Sequence, residues 1–350
     1  MPNCYDKGPR VTLFARMLLL ACATAPLLLN PAFSQAQTAA PDLEPLGIGL
    51  EGFVYPYPVQ YLLLRMGGDD VKLAFMDVEP SGRANGKTAV LLHGRNFFGA
   101  YWKETIGLLS ARGYRVVVPD QIGFGKSSKP DVPHSFHGHA YNTKQLLDYL
   151  DVRKVSLVGH SIGGMMAMRF TLMYSEYVER LVLEDPIGLE DYRIKVPFAT
   201  REQLAAEARK QTRTSIDTLF KDFFATWKPA FQTFADVQYR WTLGPESDLI
   251  ARTAAQTYTM AYEQPVLYEM PLIKTPTLLV AGEKDRTAIG RTRVVSEVRA
   301  TLGLYPELAK KAAQAMSDCK LVLLPDVAHV PHLEAPERFH EELLRFLEES

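Results

Sequence analysis

Three side chains of the types that together perform nucleophilic catalysis are spread along the chain: Ser161, Asp285 and His329. A serine hydroxyl is a poor nucleophile at neutral pH and needs a base within hydrogen-bond reach. Histidine suits that task, and a carboxylate can fix the histidine tautomer and stabilise its protonated form. If the fold brings these side chains together, the sequence predicts acyl transfer through the serine.

The segment around Ser161 is typical of a nucleophile held on a sharp turn. It reads Gly-His-Ser-Ile-Gly, directly after a strand predicted over residues 155–158 and directly before a helix predicted over residues 163–174. Glycines are needed where side chains would collide with the neighbouring strand and helix, and the turn pushes the hydroxyl out of the sheet. The amide of Ile162 then lies at a helix N-terminus, where partial positive charge can stabilise an oxyanion.

Further motifs occur in a characteristic order, and with them the chain resembles the α/β-hydrolase superfamily from about Asp70 to the C-terminus. The matching segments are Leu91-Leu92-His93-Gly94, Pro119-Asp120-Gln-Ile-Gly123-Phe124-Gly125-Lys-Ser127, the serine turn, Gly282-Glu283-Lys284-Asp285 and Ala328-His329-Val-Pro-His332-Leu-Glu334. Nucleophile, acid and histidine follow one another in the superfamily order. The resemblance implies a triad of Ser161, Asp285 and His329, with the backbone amide of Arg95 as the second oxyanion donor. The glycine run that the family can carry in this loop is absent.

Two of these assignments have alternatives. His332 follows His329 by three residues, and the family pattern favours the first of them, which leaves His332 as a packed or rim histidine. Asp285 ends a strand-loop unit, where a carboxylate would emerge at the same edge of the sheet as the serine turn. Asp185 or Glu184, at the end of the preceding strand, is the competing acid, because some members of the superfamily place the acid there. Asp285 would then be a solvated salt-bridge partner.

Short apolar runs alternate with amphipathic segments along most of the chain. The predicted strands cover residues 88–92, 114–118, 155–158, 181–183, 277–280 and 321–324. The predicted helices cover residues 102–112, 142–150, 163–174 and 336–347, and an extra helix is predicted over 305–313. This alternation predicts an α/β fold with a mostly parallel central sheet flanked by helices, because parallel strands need crossover helices.

The strand rhythm stops between residues 186 and 272, where the sequence becomes helical and aromatic and predicts an inserted helical cap. Its aromatic residues are Phe220, Phe223, Phe224, Trp227, Phe231, Tyr239, Trp241, Tyr258, Tyr262 and Tyr268. They either form the core of the cap itself or, in part, line an apolar pocket over the site. The predicted organisation is a signal peptide over 1–36, a lead-in over 37–69, an α/β-hydrolase core over 70–185 and 273–350, and the cap over 186–272.

The first residues have the pattern of a secretory signal. Three basic residues precede an apolar run over residues 17–29, and a stretch of small residues ending at Ala36 fits a cleavage site. A membrane anchor is disfavoured because the run is short for a bilayer span and Pro26 interrupts it. Lipidation at Cys22 is also disfavoured, since the apolar run continues beyond it. We therefore expect export to the periplasm or the medium.

Composition excludes several classes of function. The 39 basic and 40 acidic residues show no block of like charge, so nucleic acid is not an expected partner. After signal cleavage Cys319 is the remaining cysteine, which predicts no internal disulfide and an inert buried thiol. The histidines His134, His137 and His139 have no carboxylate or cysteine pattern to complete a metal site, so no metal is expected. His160 is expected to pack under the serine turn.

We expect hydrolysis of a small carboxylic ester with an apolar group, through an acyl-enzyme and without a cofactor. A serine at position 161 disfavours the dehalogenase and epoxide-hydrolase chemistry of relatives with a nucleophilic aspartate. Lactonase, thioesterase, carbon–carbon bond hydrolase and cofactor-free perhydrolase activities use the same triad and stay open. A transferase and a non-catalytic ligand-binding homologue are the rivals from other classes. The sequence makes no prediction of oligomeric state.

Overall fold

An eight-stranded sheet forms the centre of the structure, a computed structural model that describes residues 43–349. The strands are β1 Val59–Met66, β2 Asp69–Val78, β3 Thr88–Leu92, β4 Arg115–Pro119, β5 Val155–His160, β6 Val178–Glu184, β7 Thr277–Gly282 and β8 Cys319–Leu324. Their order in the sheet is β1-β2-β4-β3-β5-β6-β7-β8. The strands β3 to β8 are parallel, while β1 and β2 are antiparallel to each other and β2 to β4. The predicted α/β fold with a mostly parallel sheet is confirmed.

Both faces of the inner parallel strands β3 to β7 are largely buried, which explains why these strands read as nearly continuous apolar runs. In β3, Val90 and Leu92 belong to the hydrophobic cluster on one face, and Ala89 and Leu91 to the cluster on the other. Successive strand residues point to opposite faces, so a strand covered on both faces favours apolar side chains at consecutive positions. Full burial of a leucine contributes about 1.5–3 kcal/mol to folding.

Helices cover both faces of the sheet. They are α1 Lys103–Ala111, α2 Phe136–Tyr149, α3 Ile162–Met173, α4 Arg201–Arg209, α5 Arg213–Lys221, α6 Gln232–Leu243, α7 Ser247–Glu263, α8 Ser296–Arg299, α9 Tyr305–Ala315, α10 Pro331–Glu334 and α11 Pro336–Glu348. The predicted helices are present with small shifts at their ends. The largest shift is in α2, which begins earlier because the Ser135 side chain accepts a hydrogen bond from the Gly138 amide and caps the helix.

The sheet extends into residues that the sequence analysis placed in the lead-in. Strand β1 is an edge strand, and its apolar run Tyr61–Leu64 is only partly buried, with Tyr61 and Leu63 exposed. Before it, Leu46 and Leu50 are buried against the helix α6. The Leu46 amide donates to the Arg240 carbonyl at 3.2 Å, which ties this segment to α6.

The helices α4 to α7 lie within the residues predicted as the cap. Helix α4 packs on α7, and α5 packs on α6. Phe220, Phe224, Phe231 and Trp241 are buried in the same hydrophobic cluster as α1 and α11, so the core of the cap is continuous with the core below it. Within residues 43–349 the structure contains no helix with the length and apolarity that crossing a bilayer would require. The predicted signal peptide lies outside the described residues.

Candidate active site

Ser161 occupies a strained turn between β5 and α3. Its backbone has φ 56° and ψ −119°, a region that residues other than glycine seldom adopt. A Cβ atom on Gly159 would lie 2.4 Å from the carbonyl oxygen of Gly163, and one on Gly163 would lie 2.3 Å from that of Leu92. The glycines flanking the serine are therefore required by close backbone approach, as the sequence motif indicates.

The structure brings Ser161, His329 and Asp285 together, although Ser161 and His329 are 168 positions apart in the sequence. His329 Nε2 lies 2.9 Å from Ser161 Oγ, and His329 Nδ1 lies 2.7 Å from Asp285 Oδ2. The three residues are almost completely buried, with exposed fractions of 3%, 2% and 1%. An ionised Asp285 can only accept, so Nδ1 carries the proton and Nε2 is free to accept the serine hydroxyl proton. The Thr287 amide donates to the other Asp285 oxygen at 2.7 Å and holds the carboxylate in place.

Asp185, the competing acid, is a close neighbour of this group but has a different environment. Its side chain accepts the Gly282 amide at 2.9 Å and makes no hydrogen bond to His329. Burial, followed by the adjacent Asp285 carboxylate, raises the pKa of Asp185 well above its usual range. Burial beside the Asp285 carboxyl group therefore favours the protonated form of Asp185.

Asp185, Asp285 and His329 are the one group within residues 43–349 whose ligand atoms are close enough to share a metal ion, within 4.8 Å of one another. His329 uses both ring nitrogens on Ser161 and Asp285, so neither nitrogen is free for a metal. The His134 and His139 rings hydrogen-bond each other at 3.0 Å, and His137 is exposed.

The other candidate histidine, His332, belongs to a separate buried pair. Its amide donates to Glu184 at 2.7 Å, and its Nδ1 lies 3.0 Å from both carboxylate oxygens. Its ring stacks on Trp102 with centroids 4.0 Å apart. The Glu184 carbonyl in turn accepts the Ser161 amide at 3.0 Å, so this pair supports the serine turn from below.

We expect replacement of His332 by alanine to lower the free energy of unfolding by about 3 kcal/mol, because it opens a buried pair and leaves Glu184 short of a partner. Urea unfolding measures this loss, with the exposed His137→Ala as control. Turnover per folded molecule should stay near that of the wild type. Unchanged stability with turnover reduced by several orders of magnitude would instead identify His332 as the base.

The amides of Arg95 and Ile162 are the candidate oxyanion donors. Neither donates a hydrogen bond to any other group of residues 43–349. His93 holds the loop that carries the first amide: His93 Nε2 accepts the Gln121 amide at 3.0 Å, and Nδ1 donates to the Gly94 carbonyl at 2.9 Å. These two contacts let the His93 ring hold the shape of the loop.

A hydrogen-bonded chain links the loop that carries the Arg95 amide to His329, and no motif in the sequence predicted this chain. The Gly94 amide donates to Tyr101 Oη at 2.9 Å, and Tyr101 Oη donates to His160 Nδ1 at 2.9 Å. His160 Nε2 then donates to the His329 carbonyl at 2.6 Å. Burial lowers the pKa of His160 well below its usual range, so its ring stays neutral and can serve both partners. His160 is therefore a link between the two sides of the site as well as a packed side chain.

We expect Tyr101→Phe to lower kcat about tenfold with a smaller change in KM, since the Gly94 amide loses its acceptor and the oxyanion loop loses its anchor. Steady-state kinetics measures the split, with Tyr141→Phe on the surface as the matched control. Equal kinetics in the two variants would show that the hydrogen-bonded chain does not position the loop.

A cavity of about 410 Å³ adjoins Ser161 and His329. Its apolar wall includes Ile187, Leu204, Leu219, Phe223 and Ile289. Of the ten cap aromatics, Phe223 and Tyr258 line this cavity. The aromatic residues of the cap therefore serve in part as pocket lining and in part as core. The Phe223 carbonyl also accepts the His329 amide at 2.9 Å, so the cap contacts the backbone of the candidate base directly.

Cys319 is half-buried, and burial raises the pKa of its thiol to about 12. A thiol of that acidity is a poor nucleophile, which agrees with the inert role expected of it.

The sequence profile of the alpha/beta hydrolase family matches residues 89–342, and the chain belongs to this family. A solved structure of a probable hydrolytic enzyme from Pseudomonas aeruginosa is 41% identical, with a TM-score of 0.86, and the match covers 88% of this chain and 99% of that one. A 2-hydroxy-6-oxo-6-(2'-aminophenyl)hexa-2,4-dienoic acid hydrolase from Metapseudomonas resinovorans is 28% identical over 75% of this chain and 84% of that protein. An uncharacterized protein of Mycobacterium tuberculosis is 35% identical over 105 residues, and the match spans 30% of its length.

Proposed function

We propose that this member of the α/β hydrolase family is a serine hydrolase that cleaves carboxylic esters through an acyl-enzyme. The observation that carries the proposal is the position of His329, hydrogen-bonded at 2.9 Å to Ser161 and at 2.7 Å to Asp285. A serine hydroxyl that is hydrogen-bonded to a histidine held in this way can lose its proton to the histidine as it attacks.

In the proposed reaction Ser161 Oγ attacks the ester carbonyl while His329 Nε2 takes the hydroxyl proton. Asp285 stabilises the imidazolium that forms, and the amides of Arg95 and Ile162 stabilise the oxyanion. The tetrahedral intermediate collapses, and His329 returns the proton to the leaving alcohol. Water then attacks the acyl-enzyme by the same steps, with His329 as base, and releases the acid and free Ser161.

A fluorophosphonate probe tests the proposal directly, because it labels a serine that an adjacent base activates. We expect a stoichiometric adduct on Ser161, identified by peptide mass spectrometry, and none on the Ser161→Ala protein. Absence of the adduct on the folded wild-type protein would contradict the proposal and favour a ligand-binding homologue.

The bond that is cleaved needs a second experiment, because thioesterases, lactonases, perhydrolases and carbon–carbon bond hydrolases use the same triad. The relative from Metapseudomonas resinovorans is named as a dienoic acid hydrolase, which motivates including a vinylogous diketone acid in the panel. We expect p-nitrophenyl esters to give the highest kcat/KM among esters, thioesters, lactones and the diketone. A different substrate class with the highest value would replace ester cleavage as the function, and added alcohol as acceptor would reveal a transferase.

We also propose that the chain is exported. The basic residues, apolar run and small-residue stretch that end at Ala36 support this. N-terminal sequencing of the protein recovered from the periplasm or medium tests it, with the mature chain expected to start at Gln37.

A further inference from the structure

The residues that line the cavity also include an unusual number of arginines. They are Arg95, Arg286, Arg291, Arg293 and Arg299, against the two acidic residues Glu207 and Asp222. Arg293 forms an ion pair with Glu207. The other four arginines have no carboxylate oxygen of residues 43–349 within 4.0 Å. The lining therefore has more arginines than carboxylates, and four of these arginines form no direct ion pair within residues 43–349.

Arg95 is the arginine whose backbone amide is a candidate oxyanion donor. Its guanidinium group has few hydrogen-bond partners and no carboxylate partner within residues 43–349. One Nη donates to the Ala254 carbonyl at 3.2 Å, and the group lies 5.9 Å from the centre of the Tyr258 ring. Its Nε is buried without a hydrogen-bond partner among the described residues. Burial lowers the pKa of Arg95, yet a guanidinium keeps its proton in proteins, so a buried charge persists there. Such a charge is costly unless an anion pairs with it.

Arg291, on the loop that follows β7, resembles Arg95 in lining the cavity without a carboxylate partner. Its Nε is also buried without a partner in the described part of the chain. Burial, followed by the nearby Arg286, lowers the pKa of Arg291, and Asp222 and Asp285 only partly offset these effects. Two guanidinium groups that line one cavity and lack carboxylate partners are suited to bind a single anionic group by charge-assisted hydrogen bonds.

We infer that the substrate is an ester that also carries an anionic oxygen group, a carboxylate or a phosphate, and that Arg95 and Arg291 bind this group in the cavity beside Ser161. The inference rests on the proposed function, because it names the class of ester. The apolar residues Leu219 and Phe223 would contact the chain between the ester and the anion. A cavity of about 410 Å³ has room for a small bifunctional molecule of this kind.

The test compares matched chromogenic esters on the wild-type protein: mono-p-nitrophenyl adipate, p-nitrophenyl hexanoate, and a p-nitrophenyl ester that ends in a phosphate. We expect kcat/KM for at least one anionic ester to exceed that for the neutral ester about tenfold or more at low ionic strength. The anionic ester with the larger value identifies the carboxylate or the phosphate as the group bound. The preference should shrink as salt is raised, because salt screens the attraction.

The variants Arg95→Gln and Arg291→Gln should each reduce the anionic-to-neutral ratio of kcat/KM about tenfold. Arg65→Gln, which removes an exposed arginine paired with Asp70, is the matched control and should leave the ratio unchanged. An equal fall of the ratio in the control, or no fall in either cavity variant, would assign the preference to the general charge of the protein.

Calorimetry on the Ser161→Ala protein gives a readout that does not depend on turnover. We expect monomethyl adipate to bind at least tenfold more tightly than dimethyl adipate, and the added Arg291→Gln change to remove this difference. If the wild-type protein hydrolyses neutral esters as well as anionic ones, and the two adipates bind equally, the anion site is overturned while ester hydrolysis stands. If the fluorophosphonate probe and all esters fail, the proposed function falls, and the calorimetry alone decides the anion site.

Discussion

Replacement of Ser161 by alanine should lower kcat for ester hydrolysis about 10⁴-fold or more, because no other group can form the acyl-enzyme. The geometry supports a loss of this size: the Ser161 hydroxyl is the group that His329 Nε2 contacts at 2.9 Å. The free energy of unfolding should change little, since alanine keeps the backbone and the flanking glycines keep the close approach of strand and helix. Steady-state kinetics and urea unfolding measure the two quantities.

The control for this variant is Ser175→Ala, which removes an exposed hydroxyl shortly after the end of α3. It should match the wild type in kcat and in stability. Retention of most of the activity by Ser161→Ala, in a preparation free of contaminating esterase, would refute the nucleophile.

Replacement of Asp285 by asparagine should lower kcat about 10³- to 10⁴-fold. An asparagine that donates its amide proton to His329 Nδ1 forces the ring into the wrong tautomer, with the proton on the nitrogen that must act as base. The neighbouring Asp185→Asn is the matched control and should change kcat less than tenfold. A neutral carboxyl and an amide have the same shape, and the asparagine oxygen can still accept the Gly282 amide. A larger loss in Asp185→Asn than in Asp285→Asn would move the acid to the end of β6.

The same control variant reports the charge state of Asp185. The pKa of Asp185 is higher in the folded protein than in the unfolded chain, where it lies near 4. As the pH rises above about 4, the unfolded chain loses this proton while the folded protein keeps it, so folding loses stability. Asp185→Asn cannot titrate, and its stability relative to the wild type should therefore increase between pH 4 and pH 7. A constant difference across this range, measured by urea unfolding, would mean that Asp185 is ionised in the folded state.

The sequence predicted the parallel sheet and the local chemistry of the serine turn because both are encoded within short segments. The Gly-His-Ser-Ile-Gly motif specifies a close approach of β5 and α3 through residues that are neighbours in the chain. The apolar runs of the buried strands can likewise be recognised in the sequence even when the neighbouring strands in the sheet are not known. Strand β1 also carries an apolar run, Tyr61–Leu64, but it pairs with β2 as an antiparallel hairpin and so lies outside the strand–helix alternation on which the prediction rested.

Features that depend on residues far apart in the chain could not be predicted from the sequence. The hydrogen bond between Tyr101 and His160 joins residues 59 positions apart, and no spacing or motif announces it. Asp185 could be identified as an alternative acid, but its raised pKa follows from burial beside Asp285, which only the packed structure reveals. Arg95 was assigned a role through its backbone amide alone, and the significance of its side chain emerged only with the arginines of the loop after β7.

The hydrogen bond from the His329 amide to the Phe223 carbonyl has a consequence for protein engineering. Exchange of the cap for that of a relative is an obvious route to a new substrate range, since the cap supplies part of the cavity wall. In this protein such a chimera would also remove the contact that fixes the backbone of the base. Residues 223 and 329 should accordingly be transplanted or retained together, and libraries aimed at selectivity alone should leave the backbone around Phe223 intact.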